Sequence, residues 1–375
     1  MLRYLSAGES HGKCLIVILE AMPAGLPLSI EFINQELKKR LSGYGRGPRS
    51  KGIEDDKIEF LSGVRKNVTL GSPIAMRIKN RDYKIDVLGE ISKPRPGHAD
   101  LAGALKYNQK DIRNILERSS ARETAVRVAV GAVCKLFLNE FGVDILSHVV
   151  SIGGVEADTK DLAFSEIKKR ADKSSLRCAD KTAEKLMRRE IDKIKGEKDT
   201  LGGTFEIMAK GVPAGIGSHV HYDRKLDGRL ALALMSIQAI KGVEIGLGFD
   251  AAQRAGSDVH DEIYYQKTKG FYHKTNNAGG IEGGMSNGEP IVVRCAMKPI
   301  PTLMEPLASV DINSKKPFRA QVERSDTTAV PAAAIVAESA VSFELVKGYL
   351  DKFGGDSMDE LKRNFKGYIG QIKKF

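Results

Sequence analysis

The sequence predicts a mixed α and β fold gathered into one compact unit, and three observations carry that reading. Short apolar runs bounded by turn residues, at 15–19, 58–63, 73–78, 143–150 and 291–297, read as strands. Longer stretches with apolar residues three and four apart read as helices. Charged, glycine-rich loops are scattered from residue 8 to residue 328, with no repeat of fixed period and no low-complexity linker. A site assembled from all those loops needs one domain spanning 1–375. The 375 residues, 42% hydrophobic and 29% charged, supply ample core for it.

In chain order, the loop Gly8-Glu9-Ser10-His11-Gly12 places Ser10 and His11 at the mouth of the strand at 15–19. Ser29 then caps a helix to about Leu41, with Glu31 early and Lys38, Lys39 and Arg40 late, as the helix dipole prefers. The next loop, Gly43-Tyr44-Gly45-Arg46-Gly47-Pro48-Arg49-Ser50, alternates arginines with glycines that allow close backbone approach to a ligand. The runs at 58–63 and 73–78 read as neighbours in an antiparallel sheet.

The turn Arg95-Pro96-Gly97-His98-Ala99-Asp100 presents its side chains before the most telling stretch, Glu117-Arg118-Ser119-Ser120-Ala121-Arg122-Glu123. Ser120 and Glu123 have capping-box spacing, and a buried stripe follows at Ala125, Val128, Ala129, Ala132, Val133 and Leu136. A helix start dressed with Arg118 and Arg122 suits a small polyanion carrying phosphate more than it suits a structural role alone.

Residues 163–196 read as one long solvated helical stretch with i,i+4 charge pairs. Residues 229–240 read as an apolar helix capped by Gly242. The match Gly246-Leu247-Gly248-Phe249-Asp250-Ala251 lacks the βαβ context of a dinucleotide fingerprint, and no P-loop motif occurs. Lys298-Pro299-Ile300-Pro301-Thr302 forms a stiff loop poor in donors and suited to lie against a flat ring. Arg324 and Asp326 precede an Ala-rich helix from Pro331 to about Leu350, with proline in its first turn.

Other classes are disfavoured. The net charge of +11 lies mostly in the first 130 residues, among glycine-rich turns; aromatics are 6% and tryptophan is absent. Small anions explain this better than nucleic acid. The cysteines, Cys14, Cys134, Cys178 and Cys295, are widely spaced, which suggests neither zinc nor disulfides and fits reduced thiols in cytosol. No signal peptide is expected, and the apolar run at 14–19 is too short to span a bilayer.

Taken together, the runs 8–12, 45–47, 95–101, 118–132, 241–246, 283–288, 298–302 and 324–331 resemble the chorismate synthase family, in the family's order and across nearly the whole chain. Two positions depart from it: Ala21 stands where the family usually has glycine, and Ser325 where many members have histidine. The resemblance implies an α+β sandwich of antiparallel sheets and helices, assembled as a cytoplasmic homotetramer. It implies a lyase of the shikimate pathway that removes phosphate and a ring proton from 5-enolpyruvylshikimate 3-phosphate by 1,4-anti elimination. Reduced FMN is required without net redox change, and whether NADPH reduces it on this chain stays open.

By that resemblance, Arg40, Arg46, Arg49, Arg95, Arg122 and Arg127 would hold the substrate's carboxylates and phosphate, groups that charge-assisted, bidentate bonds hold best. FMN would be held by Arg118, Ser119, Ser120, Gln238, Ala239, Gly283, Lys298, Pro299, Ile300, Pro301, Thr302 and Arg324. His98 and His11 would divide two roles, one beside the flavin and one on the departing phosphate; Asp326 would take the ring proton with the flavin as relay, and Ser10 and Ser120 would orient these groups. Two other readings compete: a flavin oxidoreductase using NAD(P)H, which would leave its substrate oxidised or reduced, and a non-enzymatic binder of phosphoanions or nucleic acid.

Overall fold

The computed structural model describes residues 1–47, 52–323 and 325–375. Two antiparallel sheets enclose a layer of helices. The first sheet has the strands Arg3–Ala7, Cys14–Glu20, Ile74–Lys79 and Ile58–Ser62 in that spatial order. Leu15, Val17 and Leu19 face inward while Ile18 faces out, the period-two pattern of a half-buried strand. The second sheet runs Ile240–Ile245, Ile291–Met297, Gly203–Lys210, Asp144–Ile152 and Val155–Glu156.

The helices are α1 (Ile30–Leu41), α2 (Asp100–Tyr107), α3 (Arg113–Ser119), α4 (Thr124–Asn139), α5 (Phe164–Lys173), α6 (Lys181–Gly196), α7 (Leu226–Met235), α8 (Gly256–Val259), α9 (Val330–Phe353) and α10 (Met358–Ile372). Helix α4 packs on the first sheet, α9 on the second, and α1 touches both helices. Because α4 is covered on every side, Val126 and Val130 are as buried as the expected stripe. Where α4 meets α9, a Cβ on Gly131 would stand 2.1 Å from the Ser339 Cβ, so only glycine permits this approach. The main hydrophobic cluster draws on residues from Leu2 to Leu361 and reaches both sheets. This is the sandwich of antiparallel sheets and helices that the family resemblance implies; the residue patterns alone predicted mixed α and β.

Several boundaries differ from expectation, each for a local reason. The stretch 163–196 is two helices, because Ser174 ends α5 in an extended conformation and Asp180 caps α6 by accepting from the Thr182 and Ala183 amides. It is also less solvated than its charges suggest, since Met187 and Ile191 are fully buried in the main core. Helix α7 stops at Met235, and Ala239 then takes a left-handed backbone (φ 68°) that no helix can continue. Gly242 accordingly lies in a strand and caps nothing. Gly246 and Gly248 follow an antiparallel strand, without a βαβ unit. The four cysteines are free.

Ala21 holds a positive φ of 68° at the turn into Met22 and Pro23. A left-handed alanine costs roughly 1–2 kcal/mol, and glycine returns part of that as unfolded-chain entropy. Ala21→Gly should therefore stabilise the protein by about 0.5–1 kcal/mol in urea denaturation; a destabilised variant would show that the turn carries no strain.

Candidate active site

The site begins with two arginines that share one carboxylate. Arg40, in the last turn of α1, and Arg122, in the 3₁₀ turn that precedes α4, are both buried. Between them lies Asp56, 3.4 Å from Arg40 Nη1 and 2.8 Å from Arg122 Nη1. Arg40 also donates to Thr124 Oγ1 and the Ala121 carbonyl, each at 2.9 Å. Arg122 Nε donates to Asn80 Oδ1 (2.9 Å), and the Asn80 carboxamide reaches back to the Glu9 and Gly12 carbonyls. Asn80 thereby ties the 8–12 loop to the arginine pair. Burial, only partly offset by Asp56 and reinforced by the charges of Arg122 and Arg46, pushes the Arg40 guanidinium down to about 10. Such a cluster is relieved by an anion.

A second group forms on the turn before α2. Asp100, fully buried, accepts from Arg95 Nε (2.8 Å), the Arg95 amide (3.0 Å) and His98 Nδ1 (2.5 Å). Burial alone would raise the Asp100 carboxyl, but the bonds and charges of His98 and Arg95 hold it well below the usual carboxylate range. Arg95 spends a further donor on Thr302 Oγ1 (2.9 Å), so it braces the site more than it offers donors to a ligand.

The third group is the pair of loops at 43–47 and 325–328. Asp326 accepts from Arg46 Nη1 and the Gly47 amide, both at 2.5 Å. A Cβ on Gly45 would stand 2.9 Å from Thr328 Cγ2, and one on Gly47 2.8 Å from the Ser325 carbonyl. The glycines of this loop thus admit the 325–328 segment, where the sequence had suggested a ligand. Asp326 caps no helix: α9 starts at Val330 without a side-chain cap.

These groups converge on a cavity of about 450 Å³. Its polar wall includes Arg40, Arg46, Glu54, Arg95, His98, Ser119, Ser120, Arg122, Gln238, Lys298, Thr302, Ser325 and Asp326. Its apolar wall includes Leu116, Ala239, Met297, Ile300, Pro301 and Ala329. Lys298 is anchored through its amide to the Ala239 carbonyl (3.0 Å) and through its ammonium to the Gly97 carbonyl. Gln238 donates to Glu123 (3.0 Å), while its own buried carbonyl oxygen has no donor among the described residues.

Some expected site residues stand elsewhere. Arg127 points back one turn to Glu123 and out to Ser236, because its five-residue offset from Arg122 carries it to another face. Arg118 is exposed and donates to the Ser6 and Gly8 carbonyls. Gly283 sits in the turn between Ile281–Glu282 and Met285–Ser286, off the cavity wall, and Pro299 gives its place to Ile300 and Pro301. Ser10 and His11 are buried off the wall as well. Glu117 accepts from the His11 amide (2.7 Å) and pairs with His11 Nδ1 (2.9 Å), and its carbonyl accepts from the Ser10 amide (2.9 Å). Ser120 accepts from the Arg122 amide, but Glu123 does not complete a capping box because Gln238 and Arg127 engage its carboxylate. Arg49 and Arg324 lie outside the described residues.

Sequence reasoning passed over Asp56 and Asn80 and did not give Asp100 or Glu117 a role. The acidic run Glu54-Asp55-Asp56, just after an arginine-bearing loop, was the available signal for the first.

The fold and cavity set a loop-built cluster of guanidiniums and carboxylates beside an apolar wall, the arrangement of an enzyme site for a small polar ligand. The family model for chorismate synthase matches residues 2–350. Curated chorismate synthases from Geobacter sulfurreducens and Pelobacter propionicus are 55% and 56% identical, and each alignment covers 100% of both chains. A solved structure titled as chorismate synthase superposes with a TM-score of 0.84 at 48% identity, covering 100% of this chain and 99% of that one. The chain belongs to the chorismate synthase family.

Glu117, like Asp100, is a buried carboxyl that His11 holds below its ordinary value despite burial. A group lowered on folding contributes stability above its unfolded pKa and loses it as pH falls. Stability should therefore decline on acidification from about pH 4.5 downward. In urea denaturation Glu117→Gln should give a shallower decline over that window; an unchanged slope would remove Glu117 from the account.

Proposed function

We propose that this chain converts 5-enolpyruvylshikimate 3-phosphate to chorismate by 1,4-anti elimination of phosphate and a ring proton, with reduced FMN in the same cavity. The observation that carries the reading is the convergence of Arg40, Arg46, Arg122, His98 and Asp326 with the wall of Ala239, Ile300 and Pro301 on one space of about 450 Å³.

The residues fit a flavin. The Lys298–Thr302 loop presents apolar surface with few donors, and beside it the buried Gln238 carbonyl oxygen has no donor among the described residues. Ser119, Ser120, Gln238, Ala239, Lys298, Ile300, Pro301 and Thr302 would hold the group, and when bound it supplies reversible electron donation and a ring nitrogen able to pass a proton. The left-handed backbone of Ala239 stores strain on this wall, as functional sites commonly do.

The chain's own part is electrostatic and acid–base. Arg40 and Arg122 share Asp56 and Arg122 also reaches Glu54; together with Arg46 their guanidiniums would meet the phosphate and stabilise the charge it gains on leaving. His98 lines the cavity and donates a proton or hydrogen bond at the reacting end. Asp326 is the base; its carboxylate keeps acceptor capacity beyond its bonds to Arg46 and Gly47. His11, off the wall on Glu117, supports the loop at 8–12.

We extend the reading to a cytoplasmic homotetramer. The paired residues Leu5 and Ile18, both exposed on the outer side of the first sheet, support a contact between subunits.

The test is an air-free assay with the substrate and chemically reduced FMN, followed for phosphate and chorismate. Release of both with flavin recovered unchanged is expected; no turnover, or net oxidation of the substrate, would overturn the reading. Repeating it with NADPH as the sole reductant reports whether the chain reduces its own flavin. His98→Ala should lower turnover by roughly 10²–10⁴. Asp326→Asn should do likewise with FMN affinity nearly intact, and near-normal rates in either variant would strip that residue of its role.

A further inference from the structure

We propose that Asp100 is a positioning residue that fixes the ring of His98 with its proton on Nδ1, leaving Nε2, which lies 3.4 Å from Arg95 Nη2, unprotonated as the working nitrogen. The inference deepens the proposed function and rests on it for the identity of the reactants.

The argument starts from what Asp100 can do chemically. Its carboxylate is fully buried, and Arg95 offers it three donors: the backbone amide at 3.0 Å, Nε at 2.8 Å and Nη2 at 3.0 Å. Surrounded in this way it remains ionised, and an ionised carboxylate only accepts. The atom 2.5 Å from its Oδ1 is His98 Nδ1, which must therefore be the donor. Arg95 Nη2 also lies 3.0 Å from Nδ1, but a guanidinium likewise only donates. Of the two neighbours of Nδ1, then, the carboxylate alone can accept its proton. The ring is locked with Nδ1–H inward, as in other histidine–carboxylate pairs where the carboxylate sets tautomer and orientation without taking the proton.

The same carboxylate fixes Arg95, which bonds Thr302 in the loop that forms the apolar wall. An asparagine at position 100 keeps an oxygen to accept from Arg95, so Asp100→Asn disturbs chiefly the contact to His98. A carboxamide at this position would offer an N–H to Nδ1 and favour the opposite tautomer.

Two measurements test this. In protein labelled with ¹⁵N-histidine, with the His98 signal identified by its loss in His98→Ala, the neutral wild-type ring should carry its proton on Nδ1. Asp100→Asn should move it to Nε2. A neutral wild-type ring protonated at Nε2 would overturn the proposal whether or not Asp100→Asn folds. In the turnover assay Asp100→Asn should lower kcat roughly 10–100-fold, short of the loss from removing His98, with Asp100→Glu recovering part of it. In a His98→Ala background the same substitution should change kcat by less than about twofold, because its route has gone. Multiplicative effects would show that Asp100 acts by general scaffolding and would contradict the proposal. If the wild-type chain turned nothing over, the functional reading would fall while the tautomer measurement still decided the role of Asp100.

Discussion

Two buried guanidiniums that share one buried carboxylate, with a second carboxylate, Glu54, on Arg122, set the terms for the rest of this molecule. Arg40 and Arg122 come from separate helical elements, and Asp56 from the segment between the first helix and the third strand of the chain. Removing charges from water is expensive unless they are paired and hydrogen-bonded. Thr124, the Ala121 carbonyl and Asn80 satisfy part of that demand, and Asn80 recruits the loop at 8–12 in doing so. Glu54 and Asp326 pair with Arg122 and Arg46 in turn, so three guanidiniums and three carboxylates meet at the cavity, and a leaving phosphate would have to compete with those carboxylates for the donors.

The scaffold that holds this arrangement has a charged centre of its own. Lys135 on α4 is buried between Glu36 of α1 (2.5 Å) and Glu338 of α9. Burial would lower the Lys135 ammonium, yet the two carboxylates hold it above its ordinary value. Glu338 also accepts from Ser147 of the second sheet (2.5 Å) and from Arg177 (3.1 Å). Glu36 lies one helical turn before Arg40, so the pair that registers α1 against α4 also aims Arg40 at Asp56. Close packing of α4 on α9 at Gly131 keeps that register tight.

Much of this could be read from the chain. The strand at 291–297 falls on its expected bounds, Ser29 caps α1, and Pro331 opens α9, because turn chemistry and period are local properties. The arginines and His98 were visible because charged residues in glycine-rich turns are unusual. Their partners were less so: the acidic run at 54–56 marks a candidate partner, but spacing does not say that Asp56 will be buried against two arginines 16 and 66 positions away. Arg127 misled because it lies on α4 while Arg122 lies in the 3₁₀ turn before it, and helix phase at a 3₁₀-to-α junction cannot be counted reliably from spacing. Gly283 and Arg118 sit within motifs shared with the family yet stand off the cavity wall. The histidines separated for a similar reason, since only the structure shows His98 on the wall and His11 on Glu117 behind it.

The most direct measurement is a crystal structure of the chain with 5-enolpyruvylshikimate 3-phosphate bound. The account predicts its phosphate and carboxylates within hydrogen-bond distance of guanidiniums among Arg40, Arg46 and Arg122, with the ring facing Asp326. A ligand seated elsewhere, with Arg40 and Arg122 still bonded only to Asp56, Asn80 and their other present partners, would contradict it.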